Sequence, residues 1–158
     1  MEEKERMFFL GLVLKRVARF DISSFEGRLV LQKTVYLLQS LGFYLGYKFS
    51  WYVHGPYSPD LTKDAFRLEA VYKKIPRVKF GDREIDAKLG TFKKFIGTRK
   101  DDADWLEQLA CTHFLKALSP KADKKTIVDG VLRHESHFTR TECVQAWDYL
   151  VQEGLITE

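Results

Sequence analysis

The six residues His54-Gly55-Pro56-Tyr57-Ser58-Pro59 leave the backbone fewer choices than any other stretch of this sequence. Two prolines and a glycine so close together cannot continue a helix or sit in the middle of a sheet, so the chain must turn a rigid corner here. Upstream, Tyr47 to Val53 alternates with period two (Tyr47, Phe49, Trp51, Val53), which predicts a strand. Downstream, Ser58 followed by Pro59 has the form of an N-cap and a first-turn proline. A helix is therefore expected from Pro59 to about Tyr72, with Leu61, Ala65, Leu68 and Tyr72 inward.

Around that corner the pattern is helical. Glu2 to Arg19 carries apolar residues at helical spacing behind an acidic first turn, and Asp21 to Ser24 breaks it. A second helix is predicted from about Gly27 to Leu41, stopping at Gly42. Val30, Leu31, Val35, Leu38 and Leu41 form its core stripe. Gln32, Lys33, Tyr36, Gln39 and Ser40 fall on the opposite side and form a candidate contact face. Pro76 to Asp86 predicts a β-hairpin with Gly81-Asp82 at its tip and Lys79 and Arg83 beside it. Helices are expected over 87–96, 104–118, 124–134 and 139–153. The expected fold is mainly α, a compact helical domain with a small strand or hairpin element and winged-helix-like features. It reads as a single domain over 1–158, with candidate lobes 1–97 and 103–158 meeting at the charged segment Gly97 to Asp102.

Composition supports a packed core. Of the 158 residues 45% are hydrophobic, among them twelve Phe, seven Tyr and three Trp. Two cysteines, Cys111 and Cys143, are too few for a secreted disulfide scaffold and read as small buried hydrophobes in a reducing compartment. No signal peptide is visible, and no apolar run approaches the ~18 residues of a membrane span. The expected location is the cytoplasm, with no membrane partner. The net charge is only +4, but Arg67 to Lys100 holds eleven basic against four acidic residues, a local +7. Arg77, Lys79, Arg83, Lys93 and Lys94 are thus the candidate nucleic-acid contacts, carried on or near the basic hairpin.

Catalytic signatures are missing. The sequence holds no glycine-rich phosphate loop, nucleophile elbow or dinucleotide fingerprint. His54, His113, His134 and His137 match no metal-binding spacing, so neither a metal site nor a cofactor is expected. The helices 124–134 and 139–153 resemble a helix-turn-helix, yet the outer face of the second sets Arg140, Gln145 and Gln152 against Glu142, Asp148 and Glu153. A near-neutral face is poorly suited to base edges, and the pair reads as a structural module.

Two stretches resemble a known family. Leu29-Val30-Leu31-Gln32-Lys33-Thr34-Val35-Tyr36-Leu37-Leu38-Gln39 resembles the leucine-glutamine-lysine-leucine, then tyrosine, helix of the Panacea (SocA-like) antitoxin domain. Trp51-Tyr52-Val53-His54-Gly55-Pro56-Tyr57-Ser58-Pro59 is similar to that family's glycine-proline corner, and its histidine-glycine-proline-tyrosine-serine form is closer to the small YwgA-like prokaryotic proteins. The match spans about Gly27 to Leu68. Tyr57 stands where an aliphatic residue is usual, and the C-terminal half resembles no named pattern. The resemblance implies a non-enzymatic partner-binding protein of prokaryotic defence or mobile elements: an antitoxin that neutralises a toxin, or an adaptor that presents a client to a protease. The positions it carries over are Gln32, Lys33, Tyr36, His54, Gly55, Pro56 and Pro59. The expected contact surface is then Gln32, Lys33, Tyr36, Gln39, His54 and Tyr57, with Gly55, Pro56 and Pro59 as a structural corner. A protein partner is expected, a nucleic acid is the alternative, and a homodimer stays open.

Overall fold

The computed structural model describes residues 2–158. Among these residues are seven α-helices and one two-stranded hairpin: α1 (Glu3–Val17), α2 (Phe25–Ser40), β1 (Ser50–Tyr52), β2 (Gly55–Tyr57), α3 (Pro59–Glu69), α4 (Arg83–Ile96), α5 (Ala103–Leu118), α6 (Lys124–His134) and α7 (Arg140–Gln152). The chain is mainly helical with a small β element, as its periodicity predicts. Among the described residues no helix is long and apolar enough to cross a membrane.

Most helices start on a side-chain cap. Ser24, Ser58, Asp82, Asp102 and Asp123 each accept a backbone N–H from the first turn of the helix that follows. Thr139 and Glu142 form a reciprocal capping box on α7. Each such cap is worth about 1 kcal/mol. Together they set the register in which the apolar faces meet.

α2 lies at the centre, with every residue from Val30 to Leu38 buried. α5 packs along it, α6 and α7 cover the far side of α5, and α1 closes the core against α3 and α4. One apolar cluster runs from Leu10 and Leu14 through Leu37 and Leu38 to Leu106, Trp147 and Leu150. Both candidate lobes therefore contribute to this cluster, beside which Cys111, Val128, Val131, Phe138 and Cys143 form a smaller one. Phe95 and Tyr149 join the lobes directly, with ring centroids 5.3 Å apart and the Tyr149 hydroxyl donating to the Phe95 carbonyl. Gly97–Arg99 between them is a single 3-10 turn.

Three expectations are corrected. The strand predicted over Tyr47 to Val53 shrinks to Ser50–Tyr52, and its partner is the corner itself, with Trp51 opposite Pro56. Tyr47 is instead buried, where its hydroxyl donates to Asp64. The hairpin predicted at Pro76 to Asp86 does not form. Gly81 has φ 73°, and Asp82 caps α4 by accepting from the N–H groups of Glu84 and Ile85. Two acidic residues in the first turn of α4 favour that helix start over a hairpin tip. Arg77 and Lys79 thus lie on an irregular segment and Arg83, Lys93 and Lys94 on α4, all exposed, with no basic β-ribbon to enter a groove. Finally, α2 has no free polar face.

Candidate functional site

The polar side chains of α2 work inward, on the backbone of the segments wrapped around the helix. Gln32 makes a two-way bridge to Ser58: its Oε1 accepts the Ser58 N–H at 2.9 Å and its Nε2 donates to the Ser58 carbonyl at 3.0 Å. Gln39 does the same for the preceding loop, accepting from Leu45 and Tyr47 N–H and donating to the Tyr47 carbonyl at 2.8 Å. The Tyr36 hydroxyl pairs with His113 Nδ1 at 2.7 Å, and burial pushes the Tyr36 hydroxyl up and the His113 imidazole down. These contacts satisfy buried backbone and ring groups. Gln32, Lys33 and Tyr36 are at most 8% exposed, so the contact surface expected from them is not at the surface.

Lys33 leads to the site. The residue is 1% exposed and its ammonium donates to the Pro56 carbonyl at 2.7 Å. Burial lowers its pKa, opposed by the neighbouring acidic groups, the Glu107 and Glu135 carboxyls among them, in so far as they are ionised. Glu107 comes from the first half of α5. Glu135 sits just past α6, where its N–H closes the helix onto the Val131 carbonyl and its side chain turns into the core. Both carboxyls are almost fully buried, at 2% and 3% exposure. Glu107 Oε2 and Glu135 Oε1 have no hydrogen-bond partner.

Two imidazoles close the mouth above them. His54, in the hairpin turn, places Nδ1 3.9 Å from Glu107 Oε2, and His137 places Nδ1 3.7 Å from Glu135 Oε2. The edge-on contact of His54 with Phe25 (5.1 Å between centroids) and the tilted contact of His137 with Phe138 (4.1 Å) hold both rings in place. One ligand atom each of His54, Glu107 and Glu135 lies within 4.8 Å of the other two. Beneath them the Cys111 thiol is fully buried and raised well above its ordinary pKa, chiefly by burial, so it stays protonated and unreactive. A group of two carboxyls, two imidazoles and an ammonium can hold a proton or a cation. It contains no activated nucleophile.

Burial, reinforced by the facing Glu135 carboxyl, pushes Glu107 up to about 8, while Lys33 pulls it down and Asp104 adds a small upward push. The sign of the consequence is fixed. Near the ordinary carboxyl value of 4.5 the unfolded chain releases this proton, while the folded chain keeps it until about pH 8. The contribution of this one group to stability is therefore complete below pH 4.5 and is lost as pH rises through 8. With chelator present, the urea midpoint of the parent chain should fall between pH 5 and 8, and Glu107→Gln should flatten that fall. Parallel profiles for the two chains would rule out this assignment.

Of the residues singled out in the sequence, the structure brings Lys33, His54, Gly55 and Pro56 together at this cluster. Tyr57 lies beside it in the hairpin, its hydroxyl 2.8 Å from Thr62 Oγ1, and Pro59 opens α3. Sequence reasoning missed Glu107 and Glu135. One signal was present: Glu107 and Gln108 stand between the apolar runs Trp105-Leu106 and Leu109-Ala110-Cys111 in the first half of a mostly apolar helix.

A second concave surface begins on the other side of His54. It is a groove of about 250 Å³ between α2, the hairpin and α3, floored by Leu29, Gln32 and Ala65 and walled by Phe25, Tyr52 and Phe66. No protein-family model, curated protein or solved structure is significantly similar to this chain.

Proposed function

We propose that the chain is a non-enzymatic binding module that captures an apolar segment of a partner protein in the groove between α2, the hairpin and α3. One observation carries this reading. Phe25, Tyr52, Val53 and Phe66, side chains that normally seek the core, stand 57–63% exposed at or beside this groove. A clustered apolar rim of that kind marks interaction surfaces, and burying each large side chain is worth about 1.5–3 kcal/mol.

The lining also selects the partner's chemistry. Lys33 is buried, and Arg28 is the exposed Lys, Arg, Asp or Glu side chain on this lining, so the charge the wall presents is positive. The segment that fits carries two or three apolar side chains beside an aspartate or glutamate. The likeness of Leu29–Gln39 and Trp51–Pro59 to the Panacea pattern supports the same reading. In that setting the segment would belong to a neutralised toxin or a client presented to a protease.

Peptide display against the immobilised chain should enrich sequences that pair apolar residues with an acidic one. The double variant Tyr52→Ser/Phe66→Ser should bind them about thirtyfold or more weakly, the loss of one hot spot of ~2 kcal/mol, while its urea midpoint stays near that of the parent. Undiminished binding by the folded variant would remove this groove from consideration.

A further inference from the structure

We propose that His54, Glu107 and Glu135 form a binding site for one divalent transition-metal ion of the zinc class, with His137, whose Nδ1 lies 3.7 Å from Glu135 Oε2, as a candidate further ligand. The proposal is independent of the apolar groove. Its basis is a convergence of donors from three parts of the fold: the hairpin turn, the first half of α5 and the segment between α6 and α7. Their ligand atoms already lie within 4.8 Å of one another. Donors around a tetrahedral zinc ion with bonds of about 2.0–2.2 Å sit roughly 3.3–3.5 Å apart. Closing that gap takes small side-chain rotations and no movement of a helix.

Two further observations point to a ligand. Glu107 Oε2 and Glu135 Oε1 are buried with no partner, a costly state for carboxyl oxygens that a coordinated cation relieves. The approach has the matching charge. A cleft of about 350 Å³ leads to Glu107, His54 and His137 past Glu26, Asp102 and Asp104, and no lysine or arginine lines it. Such a mouth concentrates cations. Lys33 is held by the Pro56 carbonyl and makes no hydrogen bond to either carboxyl, which leaves their buried oxygens open to a cation. A proton on the carboxyl pair takes the cation's place in the metal-free chain, and the two imidazoles beside the carboxyls supply the nitrogen donors that a metal ion needs. Imidazole together with carboxylate selects zinc-like ions over magnesium, which prefers an all-oxygen shell.

The test uses the full chain, stripped with chelator and titrated with Zn²⁺ by calorimetry and by thermal unfolding. We expect one ion per chain and a melting temperature that climbs with Zn²⁺ concentration, with no response to Mg²⁺. Cobalt should give the visible bands of a four- or five-coordinate ion. Glu107→Gln and Glu135→Gln should each weaken Zn²⁺ binding by 100-fold or more and His54→Ala by at least tenfold, while His134→Ala, an exposed imidazole outside the set, leaves it unchanged. His54 is partly exposed, so its variant keeps the test valid if a buried substitution impairs folding. Three results would overturn the proposal: no stoichiometric Zn²⁺ binding, binding that survives in both glutamine variants, or equal loss in His134→Ala.

Discussion

Asp64→Ala is expected to unfold at a much lower urea concentration than the parent chain, with a loss of about 3–5 kcal/mol, the usual consequence of removing one partner from a buried ion pair. Asp64 is fully buried on α3 and accepts from two directions. Arg6 Nε of α1 donates to its Oδ2 at 2.7 Å and Arg6 Nη2 to its Oδ1 at 3.3 Å, while the Tyr47 hydroxyl donates to Oδ2 at 2.7 Å. The guanidinium also lies over the Tyr47 ring, 4.9 Å from its centroid. Burial, and after it Asp64, raises the Tyr47 hydroxyl's pKa, and the hydrogen bond to Asp64 raises that of Arg6. Alanine leaves a guanidinium and a phenol facing an apolar hole. Tyr47→Phe removes a single hydrogen bond to a charged acceptor and should lose only about 1.5–3 kcal/mol. Equal losses for the two variants would show that the three groups do not act as a clasp centred on Asp64.

Gly55→Ala should be comparably damaging, for two separable reasons. Gly55 has φ 89°, a region that costs a residue with a side chain about 1–3 kcal/mol. A Cβ at this position would also overlap Cys111 Sγ on α5, and overpacking of that kind costs about 1–3 kcal/mol more. The pair Gly55→Ala/Cys111→Ala separates the two. Removing the sulfur should recover the packing share and leave the backbone share, so urea midpoints should reveal a favourable coupling between the substitutions. Strict additivity would mean that the hairpin does not rest on Cys111.

How much of this was readable beforehand depended on whether the signal was local. Ser58-Pro59 announced the start of α3, and the spacing of Ile127, Val128 and Val131 fits the helix read over 124–134, because caps and periodicity act within a few residues. Gly81-Asp82 shows the limit. A glycine at positive φ followed by aspartate fits a hairpin tip and a helix cap equally well, and Glu84, Asp86, Leu89 and Phe92 decide for the cap. The polar side of α2 misled for a different reason. Gln32 and Gln39 look like surface residues until the loops they hold are in place, and those loops arrive from up to 26 residues away. The carboxylate pair was least accessible of all. Glu107 and Glu135 belong to separate elements, and only the packing of α6 against α5 makes them neighbours.

The enclosure of α2 bears on how this polypeptide must be made. Its longest shared border is with α5, whose His113 lies 77 residues beyond its partner Tyr36 in the chain. While a ribosome is still adding α3 and α4, the flank of α2 that α5 will cover faces water, with Tyr36 lacking its histidine and Lys33 its counter-charges. The nascent chain therefore emerges sticky and unfinished, and maturation waits on the second half of synthesis.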